Sequence, residues 1–225
     1  MSTRTLPARV LVSRPPLRTH ERLCLSDVSW QDYERLGEIF RDRPNLRMTY
    51  DRGELEFMTL SNQHEFYKRI LSRAVETLLD ECEINFYAAG SMTFKREDLR
   101  HGAEPDECYW IANEPVMRGR VDYDPTRDPP PDLLVEIEVS QSILDRLDIF
   151  AALGVPEIWR LEEDKVTVWR LQPEIAYSKS AESPIFPGIP ISELSSFIGS
   201  DPTRTSVRWL HEFRQWAARF REEPS

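Results

Sequence analysis

Two glutamates stand where a buried strand should be apolar. Apart from them, Asp132-Leu133-Leu134-Val135-Glu136-Ile137-Glu138-Val139 is almost continuously aliphatic, the pattern of a strand covered on both faces. Side chains alternate along a strand, so Glu136 and Glu138 share one face while Val135, Ile137 and Val139 take the other. The two carboxylates then stand about 7 Å apart. A buried carboxylate without a partner is costly and a second like charge adds to the cost, so a divalent cation, arginines or bound protons must compensate. Asp106, directly after Pro105, opens another strand from which a short acid can project beside this one. Asp106, Glu136 and the carbonyl of Ile137 form an all-oxygen set suited to a hard ion such as Mg²⁺ or Mn²⁺. Glu65, in the first turns of a long helix, can reach the same cleft. The competing reading is an acidic strand edge in which Glu136 or Glu138 pairs with Arg146 or another arginine.

The elements that must position these acids follow from periodicity. Trp30, Tyr33, Leu36, Gly37 and Phe40 have helical spacing after Asp27 or Ser29 as a cap, and Pro44-Asn45 ends the helix. Met48 to Met58 alternates and turns at Asp51-Arg52-Gly53, which predicts a hairpin. Ser61 or Asn62 caps a helix running to about Cys82, with Phe66, Ile70, Ala74, Leu78 and Leu79 as its apolar stripe. Strands are expected over Ile84–Ala88 and Ser91–Lys95, joined through Ala89-Gly90. A charged loop from Arg96 to Glu104 then leads to a strand from Asp106 to about Ala112. The proline-rich stretch from Asn113 to Pro131 reads as an exposed linker. After the acidic strand, Ser140 caps a helix with Ile143, Leu144, Leu147, Phe150 and Ala151 inward, and Gly154 and Pro156 stop it. Glu157–Leu161 and Val166–Leu171 form a further hairpin, and an amphipathic helix from about Val207 to Phe220 ends the pattern. Helices on a mixed sheet make this an α/β protein.

Composition sets the outer limits. At 225 residues, 40% hydrophobic and 30% charged, the chain can bury a full core as one domain, with no apolar run long enough to cross a membrane. The expected division is a flexible arm over residues 1–22, a domain over 23–200 and a C-terminal helix over 201–225 for packing or dimerisation. A net charge of -10 opposes the usual nucleic-acid footprint, so a polyanion would have to bind locally. Only Lys68, Lys95, Lys165 and Lys179 are lysines, and the remaining cations are arginines that fork onto phosphates or carboxylates. Cys24, Cys82 and Cys108 are too few and too widely spaced for a disulfide framework or a zinc site, which points to the cytoplasm. His64, at the start of the long helix, reads first as a capping or surface residue and second as a neighbour of the acidic site.

At these residues the chain resembles the PD-(D/E)xK nucleases, and within them the bacterial restriction-endonuclease family called Uma. The segments that carry the resemblance are Tyr50–Met58, His64-Glu65, Gly102–Ile111, Pro130–Ser140 and Ala151–Arg160. The resemblance implies a restriction-endonuclease-like fold, a central mixed β-sheet flanked by helices, and Mg²⁺- or Mn²⁺-dependent hydrolysis of DNA phosphodiesters. It implies Asp106 and Glu136 as metal ligands and Glu65 as the helical acid. Where the motif has lysine this chain has Glu138, and the substitute position on the next helix holds Arg146, a residue that stabilises a phosphate but is a poor proton acceptor. Lys68 and Lys95 are candidate replacements for that lysine, and Glu138 a candidate to orient water or bind a second metal. The leading expectation is therefore a DNA endonuclease acting as a homodimer away from membranes. Two others compete with it: a lapsed nuclease fold that binds nucleic acid or protein without cutting, and a self-associating structural protein.

Overall fold

The computed structural model describes residues 21–43, 45–90, 92–139, 142, 144–199 and 203–220. The expected arm over Met1–His20, the helix-ending Pro44, the strand start at Ser91, the cap Ser140 and the inward Ile143 lie outside them. Among the described residues, eleven strands and six α-helices follow one another. They are β1 (Arg22–Leu25), α1 (Trp30–Phe40), β2 (Leu46–Asp51), β3 (Glu54–Thr59), α2 (Asn62–Glu81), β4 (Tyr87–Ala89), β5 (Phe94–Arg96), β6 (His101–Ala103) and β7 (Glu107–Trp110). Then come α3 (Glu114–Met117), β8 (Leu133–Glu138), α4 (Arg146–Ala152), β9 (Glu157–Glu162), β10 (Lys165–Leu171), β11 (Tyr177–Ser180), α5 (Ser195–Ile198) and α6 (Ser206–Ala217).

The strands form two sheets. The first is antiparallel throughout, in the order β1-β3-β2-β6-β5; the second is mixed, β11-β10-β9-β8-β7-β4, with β8 and β9 its parallel pair. Helix α4 makes the crossover between β8 and β9, as a parallel connection requires. Both short hairpins turn through left-handed residues, Arg52 and Gly53 in one, Glu163 and Asp164 in the other, the geometry that matches strand twist. One face of the mixed sheet packs Val135, Ile137 and Trp159 against Leu71, Val75 and Leu78 of α2 and Phe213 of α6. The other packs Leu134 and Ile158 against Ile149 and Phe150 of α4. The expected α/β class with a helix-flanked mixed sheet is what forms.

Several local expectations change. The strands predicted before and after Ala89-Gly90 are β4 and β5, which lie in different sheets. The charged loop contains β6, and β1 and β11 add edge strands that the pattern did not reveal, being four residues each and partly exposed. Arg22, assigned to the arm, begins β1. The Asn113–Pro131 stretch holds α3 and is tied down: Trp110 Nε1 donates to Pro129 O at 2.9 Å, and Met117 and Asp128 are buried. Helix α4 starts at Arg146 with Asp145 as its cap. It starts late because the backbone before it serves acids instead, Ser142 N–H donating to Glu138 at 3.0 Å and Leu144 N–H to Glu56 at 3.4 Å. The apolar stripe of α6 is used within the chain, with Trp209, Phe213 and Trp216 buried against the α2 side of the core.

Candidate active site

Asp106 and Glu136 meet. Asp106 leads into β7, which pairs antiparallel with β8 so that Glu107 faces Val135. That register places the Asp106 N–H 3.3 Å from Glu136 Oε1, to which it donates, while Asp106 Oδ2 accepts the Ile137 N–H at 2.8 Å. Asp106 is 1% exposed and Glu136 3%, so bulk solvent does not reach either acid and each draws on protein partners.

Those partners are an imidazole and a guanidinium. His64 Nε2 lies 3.1 Å from Asp106 Oδ2, and Arg146 Nη2 lies 2.8 Å from Glu136 Oε2. Glu138 shares the face of Glu136, as alternation requires, and gathers Arg160 at 3.1 Å, Arg22 at 3.5 Å and Arg146 at 3.8 Å. Arg160 arrives there because β9 pairs Arg160 with Glu136 in parallel register. Arg22 also pairs with Glu56 of β3, whose carboxylate accepts the Ser142 hydroxyl at 2.9 Å. Arginines and an imidazole thus do the compensating that the acidic strand demanded.

The two central acids are driven apart in proton affinity. Burial pushes Glu136 up, to about 7, and the nearby carboxylates of Asp106 and Glu138 add to this against the pull of Arg146. Asp106 is equally buried, yet the His64 hydrogen bond and charge, the Arg146 charge and the Ile137 N–H hold its carboxyl below the usual range. Burial works against a charged His64, but the hydrogen bond and charge of Asp106 prevail and raise it. One acid kept ionised beside one poised near neutrality is an arrangement that recurs where protons are moved.

The other expected residues sit further out. Glu65 is half exposed, with Oε1 3.5 Å from His64 Nδ1, so it reaches the acid pair only through the histidine. Lys68 Nζ is 3.5 Å from Glu107 Oε1, and Lys95, on the first sheet, lies 5.6 Å over the Tyr33 ring. Arg146, 4% exposed, occupies the place beside Glu136 where a lysine was sought. His64 is the central residue that sequence reasoning underrated. The signal was there: His64 precedes Leu71, Val75 and Leu78 by 7, 11 and 14 residues, the spacing of one helix face, and all four are buried. Phe66, placed on the stripe instead, is exposed.

For a hard cation, the donor chemistry fits: two adjoining carboxylates and no sulfur, in the number Mg²⁺ takes from proteins when waters and substrate phosphate complete its shell. Among the described residues no group of three or more His, Cys, Asp or Glu side chains is disposed as a ready-made metal cage.

Residues 30–195 match the family described as "Putative restriction endonuclease", which places this mixed α/β chain in the nuclease class. The chain belongs to this family, Uma2. No curated protein matches it. Among solved structures, a "putative nuclease belonging to DUF820 from Anabaena variabilis ATCC 29413", a crystal structure at 1.96 Å resolution, is similar with a TM-score of 0.44 and 15% identity, over 76% of this chain and 90% of that one. No helix among the described residues is long and apolar enough to cross a membrane.

Proposed function

We propose that this chain is a metal-dependent endonuclease that hydrolyses phosphodiester bonds of DNA, with Asp106 and Glu136 holding Mg²⁺ or Mn²⁺. The observation that carries the reading is the contact of these two buried acids across the β7–β8 pair, where Asp106 N–H meets Glu136 Oε1. When bound, such an ion polarises the scissile phosphate and lowers the pKa of a bound water. The chain's own residues do the rest. His64 and the Ile137 N–H keep Asp106 ionised and oriented. Glu136, whose carboxyl burial raises to about 7, would hold the ion as a carboxylate. Arg146, charged beside Glu136, would offer its guanidinium to the phosphate. Glu138, held by Arg160 and Arg22, orients the attacking water. Glu65, 3.5 Å from His64 Nδ1, adds negative charge that favours the protonated imidazole.

The experiment is metal titration calorimetry combined with nicking of a supercoiled plasmid and cleavage of a single-stranded oligonucleotide. Wild type should take up Mg²⁺ or Mn²⁺ and nick, and Asp106→Ala should do neither. Metal uptake that survives in Asp106→Ala overturns the ligand assignment. A second reading, binding without cleavage, is favoured by one observation: Arg146 is locked onto Glu136 where a motif lysine would stand. A wild type that binds DNA but neither takes up metal nor nicks in its presence decides for that alternative.

A further inference from the structure

Beside the start of α2 lies a cleft whose charge runs against that of the whole chain. The cleft has a volume of about 620 Å³ and lies between α1, β2, the start of α2 and β5. Arg41, Arg43, Arg47, Lys68 and Lys95 line it. Three carboxylates, Glu38, Glu65 and Glu104, stand against these five cations, so the walls are net positive on a chain of net charge -10. Two of those acids tie the cleft to the candidate site: Glu65 approaches His64, and Glu104 is two residues before Asp106. Arg47 is held by Glu104 at 3.2 Å and Lys68 by Glu107, which fixes them as part of the wall. Arg41 and Arg43 are exposed on the rim, Arg41 in a solvent-facing pair with Glu38 of the kind that phosphates readily displace. Phe40, half-buried, adds aromatic surface, and beneath it the Tyr33 hydroxyl is buried with no hydrogen-bond partner among the described residues.

From this we infer that the cleft is the track for a single polynucleotide strand, leading its phosphates to the Asp106–Glu136 pair; the inference rests on the nuclease reading above. A positive groove with aromatic side chains is the means by which proteins follow a single-stranded backbone without reading its sequence. A volume of this order takes a ligand of small-molecule size, and so a short stretch of one strand, whereas the major groove of a duplex alone is about 12 Å across. The assignment also answers the charge objection, because the strand meets the local field of the cleft and not the net charge of the molecule.

The test is fluorescence anisotropy with a labelled DNA single strand of roughly 15 nucleotides, in EDTA so that nothing is cut. Arg41→Glu/Arg43→Glu should weaken binding at least about tenfold and reduce the slope of log K against log salt by about 1.4, two phosphate contacts' worth for a single strand. Arg69→Glu/Arg204→Glu, an equal charge change in the separate cleft on the Trp209 side of α2, should leave binding within about twofold. A blunt duplex of the same length should bind more weakly than the single strand. No binding by wild type, equal losses in both double variants, or a preference for the duplex overturns the inference. Because these measurements need no metal, Asp106→Ala that binds normally but does not nick supports the cleft and the catalytic assignment separately. A wild type that binds through the cleft yet never cuts sinks the catalytic reading and leaves the cleft standing.

Discussion

Glu136 is the residue whose chemistry can be read most directly in solution. Its carboxyl is raised to about 7 in the folded protein, above its ordinary 4.5. A raised carboxyl favours the protonated folded state, so its stabilising contribution is complete below the unfolded value and is lost as pH rises through the folded one. Glu136→Gln should therefore raise the metal-free Tm near pH 8, with the gain shrinking toward zero near pH 4, as thermal melts across that range will show. A Tm lowered at both ends would mean that the Arg146 pair outweighs the burial of charge. His64 runs the same way for a base: its pKa is raised, so the stability it contributes is full in mild acid and falls away as pH climbs through the folded value. His64→Ala leaves Asp106 buried without its imidazole and should cost about 1–3 kcal/mol in urea denaturation, more in mild acid than in alkali.

At the scale of elements, the site depends on how helices are seated. Helix α2 carries His64 to Asp106 because Ser61 Oγ accepts the His64 N–H at 3.1 Å and starts the helix there. Ser61→Ala should cost about 1 kcal/mol and weaken the His64 contact with it, visible as broadening of the imidazole resonances. Helix α1 docks on the first sheet through Tyr33, which stacks on Tyr50 at 4.8 Å and lies against Gly102 of β6. A Cβ at residue 102 would stand 2.2 Å from the Tyr33 hydroxyl oxygen, too close for any side chain. Gly102→Ala should thus lower stability by about 1–3 kcal/mol and detach the α1 wall of the basic cleft, which near-ultraviolet circular dichroism of Trp30 and the tyrosines would register. The helices were legible from caps and periodicity, but the orientation of α2 was read one step around its axis, since Phe66 suits a helix face as well as Leu71 does until the neighbouring sheet is known.

For the molecule as a whole, Glu56 is the tie between sheets. It sits on β3 of the first sheet, is 2% exposed, and holds Arg22, the Ser142 hydroxyl and the Leu144 N–H beside Glu138 of the second. Glu56→Ala leaves the Ser142 and Leu144 donors without this acceptor and Arg22 with the Glu138 carboxylate, and should cost about 1–3 kcal/mol. In denaturant, wild type should lose the signals of Trp30 and Trp159, one in the cluster under each sheet, in a single transition. Separate transitions in Glu56→Ala would show that the tie couples the sheets, and a single unshifted one would refute it.

What the amino-acid order determined by itself is what local rules govern. Alternation put Glu136 and Glu138 on one face of β8, caps placed the starts of α1 and α2, and turn residues placed both hairpins, because each depends on neighbours within a few positions. Only the tertiary structure decided that His64 serves Asp106 from 42 residues away, that Arg146 and Arg160 answer the buried glutamates, and that the strands divide between two sheets. Buried charge must find a partner wherever the fold brings one, and which partner that is depends on packing across the chain, which no local period records.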